Sequence, residues 1–311
     1  MPLNRFHRYV LANSSDSRDT LEKSNSSQEN VHVYDTTVYE SGKKRLVFIA
    51  CAHKYGGSRP FVRFMGKVFK ETRPQLVLLE DSYKKERAYF NNYKSFGRPN
   101  WREKDWAAYL SERFNSGIEG MDEDTGFVNK TMLGLKDGQR ILVYIWFYLY
   151  YHSLRGQLSK NFSDKDIYFI TKYRITRDMF TFNGSFTRLG REIMRLKASY
   201  GLDLDKTLDK IINDVTEEYI VRKDPVSVIN NDKYVSFSYS DRGKYKINEF
   251  TCLFMAIRDR RMYTACLEAL NKHDRVVAIA GSNHVNNLRE LLRRGIKNSF
   301  GDVRVMKGYE V

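Results

Sequence analysis

Two histidines and a few carboxylates occupy equivalent places in this chain. Cys51-Ala52-His53 closes the apolar run from Arg45 to Ala50, and Ser282-Asn283-His284 closes the run from Val276 to Gly281, the two histidines lying 231 residues apart. Two more apolar runs end in acids. Gln75 to Leu79 delivers Glu80 and Asp81, and Gly117 to Met121 delivers Asp122, Glu123 and Asp124. Two imidazoles, one or two carboxylates and a free coordination position make up the ligand set of a hydrolytic divalent-metal site. Mixed nitrogen and hard oxygen donors point to Zn, Mn, Fe or Co before Ca or Mg. His53, His284 and Glu80 would hold such an ion, and Glu80 or Glu123 would shuttle the proton.

The same groups can also work without a metal, because a His oriented by a carboxylate is a competent base for activating water against an ester. Arg258, in Arg258-Asp259-Arg260-Arg261-Met262, would reach over the sheet rim and neutralise an oxyanion. Each residue has a structural alternative. A His after a strand often serves only its own loop, Glu80 and Asp81 could cap the next helix, Glu123 could sit in a solvated acidic loop, and Arg258 could be an exposed helix charge. The doubled His setting weighs toward a site. His152 and His273 read as structural, and Cys51 as a buried small side chain.

The elements that must position these groups follow from periodicity. Short Val- and Ile-rich runs closed by small residues read as buried strands of a parallel sheet. If the four runs are parallel neighbours, their chemistry converges on the carboxyl rim, where open α/β sheets bind ligands. Phe61, Phe64, Met65, Val68 and Phe69 recur at helical spacing after a Ser58 N-cap and Pro60, so the first strand, helix and second strand form a right-handed crossover. Trp106, Tyr109, Leu110 and Phe114 mark a second crossover. His32 to Tyr34 is expected as an edge segment turning back through Ser41-Gly42. Helices are expected from Glu249 to Leu270 and from Asn287 to Arg294, the latter stopped by Gly295, with a last strand at Val303 to Met306.

Between about 137 and 246 the alternation of strand and helix stops. Ile141 to Leu154, Phe186 to Tyr200 and the stretch from Leu204 to Tyr219 read as helices, and Asp241-Arg242-Gly243 as a hairpin turn. Residues 1–30 read as a flexible tail, since 12–30 hold too few apolar residues to offset ordering entropy. The expectation is an α/β fold: a mainly parallel central sheet flanked by helices, one domain over 31–311, with a mostly helical insertion over 137–246.

Lys and Arg number 53 against 38 Asp and Glu, a net charge of +15 that fits anionic partners. No tract is purely basic, however, so the excess reads as a solvated surface and argues against nucleic acid as the partner. Three cysteines without a CxxC pair, and no apolar segment of signal-peptide kind, point to the cytoplasm. The longest apolar run, Ile141 to Tyr151, is too short to span a bilayer.

In order along the chain these motifs resemble the superfamily that joins TraB and PrgY proteins, TIKI proteases, erythromycin esterases and ChaN-like proteins. Ala50-Cys51-Ala52-His53 is similar to its first small-x-x-His motif, Glu80 to the Glu after its next strand, and Gly281-Ser282-Asn283-His284 to its closing Gly-x-x-His. Arg258-Asp259 with Met262 resembles the Arg-rich helix that precedes the last motif in TraB-like members, and Glu123 a further acidic position of bacterial members. The likeness covers roughly residues 45–125 and 250–295. Ala50 stands where the family has Gly, and the central insertion has no counterpart. The resemblance implies metal-dependent peptide hydrolysis as in TIKI-like members, ester hydrolysis with a His base as in erythromycin esterases, or haem association as in ChaN-like members. The leading expectation is therefore a soluble hydrolase of ester or peptide bonds acting on a small-molecule or peptide substrate. The alternatives are a non-catalytic protein binding haem, metal or a signalling peptide, and then a phosphoesterase or nucleic-acid binder.

Overall fold

The computed structural model describes residues 36–51, 59–82, 89–91, 94, 103–135, 137–181, 204–220, 224–225 and 246–308. Chain contacts divide it into two compact units, 1–124 with 256–311, and 125–255. The expected tail over 1–30, the segment His32 to Tyr34, the Ser58 cap, the helix from Phe186 to Tyr200 and the Asp241-Arg242-Gly243 hairpin lie outside the described residues, as does His53.

The first unit holds a six-stranded mixed sheet, mainly parallel, flanked by helices. Its strands are β1 (Thr36–Ser41), β2 (Lys44–Cys51), β3 (Leu76–Ser82), β4 (Gly117–Asp122), β5 (Arg275–Gly281) and β6 (Arg304–Lys307). They lie side by side in the order β4-β3-β5-β2-β1-β6. The four strands expected to be parallel neighbours are so, with β5 between β2 and β3. β1 joins β2 antiparallel through the two-residue loop Gly42-Lys43. Gly42 takes φ +55°, the left-handed sign a tight hairpin asks of its first loop residue.

Side-chain alternation along the strands sorts the two faces. Val47, Ile49, Val77, Leu79, Val277, Ile279 and Ile118 pack with Phe61, Phe64, Met65, Val68 and Phe69 of α1 (Arg59–Thr72) and with Ala107, Ala108 and Leu110 of α2 (Glu103–Arg113). Every apolar position read as the buried face of α1 is in that core. Leu76 and Leu78 face the other way, where they line a cleft with Arg261, Ala265 and Ala269.

The second unit, 125–255, is helical in its described residues. It holds α3 (Thr125–Leu133), α4 (Gly138–Leu158), α5 (Asp164–Thr181) and α6 (Leu204–Val215), which runs on into one π-helical turn, Thr216–Ile220. Tyr144, Phe147, Tyr151, Ile167, Ile212, Val215 and Ile247 form its core. That aromatic content explains the apolar run from Ile141: residues 141–148 of α4 are buried nearly all round. No described helix is long and apolar enough to cross a membrane.

Two helices complete the frame of the first unit. α7 (Lys246–Lys272) begins in the second unit and contributes its residues from Ala256 onward to the first. α8 (Ser282–Phe300) corrects the expected start at Asn287 and stop at Gly295. It begins directly after β5 and passes through Gly295, where a Cβ would stand 2.6 Å from the Tyr263 hydroxyl and 3.0 Å from Leu267. Gly295 is therefore the site of close approach between α8 and α7, and the chain uses the missing side chain for packing and not for termination.

Candidate active site

The strand register brings the chemistry to one rim. Cys51 pairs with Gly281, and Leu79 with Ile279, so β2, β5 and β3 end level with one another. A register shift after Leu79 then sets Ser82 against Asp122 of β4. The β2-to-β3 crossover passes the slot that β5 fills. α2, which follows β3, covers one face, whereas α8, which follows β5, packs on β1, β2 and β5. The carboxyl ends of β3 and β5 thus flank a topological switch point, where open sheets form a crevice.

Glu80 continues the alternation of Leu76 and Leu78 and so turns toward α7. Its side chain is 12% exposed and meets donors from Arg258, His284 and Gly281. Oε1 accepts from Arg258 Nη2 at 2.7 Å and lies 3.3 Å from His284 Nε2, and Oε2 accepts the backbone N–H of Gly281 at the start of α8. Arg258 spans two strand ends, because its Nε reaches both oxygens of Asp122, at 3.1 and 3.0 Å, and Nη2 also bonds Asp122. Its Nη1 makes no hydrogen bond among the described residues, and the side chain is 21% exposed.

His284 stands in the first turn of α8, buried, with Nδ1 on Asp259 Oδ1 and Nε2 toward Glu80. Asp259, fully buried on α7, also accepts from Asn287 Nδ2 at 3.1 Å.

Charge follows from this packing. Burial lowers the affinity of His284 for its proton, but the Asp259 charge and hydrogen bond, with a further bond to Glu80, outweigh it and lift the group to about 9. Burial likewise opposes the Arg258 charge, and Asp122 and Glu80 more than offset it, so the guanidinium is held firmly protonated.

Of the expected site residues, Glu80, His284 and Arg258 meet in one cluster. Glu123 follows β4 half-buried; one of its oxygens accepts the Asp124 N–H at 3.1 Å, and its own N–H donates to Asp122. The acid that meets Arg258 is Asp122, because a bond from Glu123 would need the strand to turn over by one residue. His53 lies two residues beyond Cys51, outside the described residues. Sequence reasoning gave no role to Asp259 or Asn287. Asn287 lies three residues after His284, a spacing that shares a helix face, and this was the one available signal.

Among the described residues, no group of three His, Cys, Asp or Glu side chains is arranged to hold a metal ion. At the rim, His284 Nε2 and Glu80 Oε1 lie 3.3 Å apart. In comparisons with known proteins, no family model matches the chain and no curated protein matches it.

Proposed function

We propose that this chain hydrolyses ester or peptide bonds with the assistance of a divalent metal, at the rim formed by β3, β4, β5 and the start of α8. The observation that carries the reading is the 3.3 Å approach of His284 Nε2 to Glu80 Oε1 at the switch point. A nitrogen and an oxygen bound to one tetrahedral zinc lie about 3.4 Å apart, so the pair fits one edge of such a site. Charge agrees. Glu80, Asp122 and Asp259 are three carboxylates; Arg258 is the permanent cation that pairs with Glu80 and Asp122, and His284 pairs with Asp259. One negative charge is left over while His284 holds its proton, and two once that nitrogen is freed for an ion, in a mostly buried cluster where charges require partners.

His284 and Glu80 would hold the ion, and His53, which follows the strand paired with β5, would complete the set. Zn, Mn, Fe and Co suit these donors. A divalent cation there would supply Lewis acidity toward the scissile carbonyl and toward a water. The chain's own groups do the rest. Arg258, pinned by Asp122 and Glu80, presents Nη1 to the oxygen that gains charge, with no reorganisation needed as the charge develops. Glu123 has a carboxylate oxygen without a partner among the described residues and shuttles the proton to the leaving group. The three cysteines are buried free thiols, which fits a reducing compartment such as the cytoplasm.

The test is elemental analysis of untagged protein beside a folded His53→Ala, His284→Ala double variant, followed by ester and peptide substrates with each ion. Near-stoichiometric metal in the parent, lost in the variant, together with chelator-sensitive turnover, is the expected result. A parent that takes up none of the four ions, or a double variant that turns over substrate as fast as the parent, overturns the reading.

A further inference from the structure

Asp259 and Asn287 lie outside the rim itself, yet both are spent on one imidazole. We infer that Asp259, braced by Asn287, is the positioning residue of the site: it fixes the ring of His284 so that Nδ1 stays on the carboxylate and Nε2 faces Glu80. The inference rests on the hydrolase reading for its purpose, since that reading needs Nε2 free to work at the rim. Its geometry stands apart from that reading.

Three observations carry it. His284 and Asp259 are 3% and 0% exposed, so neither can exchange its partner for water. The two carboxylate oxygens are divided, Oδ1 to His284 and Oδ2 to Asn287 Nδ2, which prevents the carboxylate from rotating away. His284 and Asn287 come from one face of α8, and Asp259 from α7, where Gly295 lets the two helices close together. Turning the ring by half a revolution would put carbons where both nitrogens now are. It would leave the buried Asp259 carboxylate without the donor it now has. The ring therefore has one orientation, and that orientation aims Nε2 at Glu80. Carboxylates placed behind a working imidazole act in this way, and their loss characteristically weakens metal affinity 10- to 100-fold while the ligands themselves remain.

The experiment uses the full chain labelled with ¹⁵N-histidine, metal-free, with the His284 resonances assigned by His284→Gln. A ring Nδ1–H held on a buried carboxylate resonates far downfield of ordinary imidazole protons. The parent should show it, Asp259→Ala should lose it, and Asn287→Ala, the milder change, should shift it. Zn(II) affinity, measured by chelator competition, should fall 10- to 100-fold in Asp259→Ala and recover part of the loss in Asp259→Glu. A His284 resonance unchanged in folded Asp259→Ala, or unchanged in Asn287→Ala should the first variant fail to fold, overturns the inference. So does a Zn(II) affinity equal to that of the parent in folded Asp259→Ala. If the resonance behaves as expected while the parent neither binds Zn(II) nor turns over substrate, the positioning role stands and the hydrolase reading falls.

Discussion

The protonation of His284 ties the stability of this protein to pH in a way that can be read from its site. The folded chain holds the imidazole proton up to about 9, whereas an unfolded histidine releases it near its ordinary 6.5. A raised folded-state value means that the folded state binds the proton more tightly. The stabilisation is therefore complete below about 6.5 and disappears as pH rises through about 9. The difference of about two and a half units corresponds to about 3 kcal/mol at 1.36 kcal/mol per unit. The side chain is only 4% exposed, so solvent screening does not discount this. For a unit of this size that is a shift of about 6 to 12 °C in melting temperature. The assay is thermal unfolding of the parent and His284→Gln, with EDTA present, from pH 6 to pH 10. Groups that titrate in both proteins cancel in the comparison. The gap between the two should narrow by about that amount as pH rises. A gap that stays constant, or one that widens, would refute the claim that Asp259 and Glu80 hold a proton on His284.

The same proton governs metal uptake, because a ligand nitrogen must lose it first: Zn(II) affinity should rise about tenfold per pH unit up to about 9 and then level off, and a pH-independent affinity by chelator competition would exclude His284 as a ligand. Asp122→Asn removes one carboxylate from the buried Arg258 pair and should cost about 3 to 5 kcal/mol in urea unfolding, whereas a loss below about 1 kcal/mol would mean that Glu80 alone holds the guanidinium. Glu123→Gln should stay within about 0.5 kcal/mol of the parent in stability yet lower turnover by about 10²- to 10⁴-fold; full turnover would move the proton shuttle to another residue. Gly295→Ala, which would gain up to about 1 kcal/mol in an open helix, should instead lose about 1 to 3 kcal/mol because its Cβ meets Tyr263 and Leu267. Adding Tyr263→Phe should return part of that loss, and a Gly295→Ala chain more stable than the parent would contradict the close approach of α7 and α8.

What the sequence determined by itself was local. Hydrophobic period and chain chemistry mark β2, β3, β4 and β5 and the buried face of α1, because a strand or an amphipathic helix declares its face within a few residues. The small residues and acids that close those runs place Glu80 and His284 at strand ends, and parallel pairing then requires them to share a rim. The tertiary structure alone decided the rest. The slot of β5 between β2 and β3 depends on pairing across 200 and 230 residues, which no local pattern encodes. Gly295 reads as a helix stop in the chain and is a contact in the fold, since only the neighbour α7 gives the missing Cβ its meaning. The choice of Asp122 over Glu123 hangs on which way a single strand residue faces, and acids in a run look alike to a sequence. Asp259 is one of many charges on α7 until the helix is laid against α8, when burial turns it into the partner that holds His284 in place. The electrostatics of this site are a product of distance and desolvation, and both come into being only when the chain has folded.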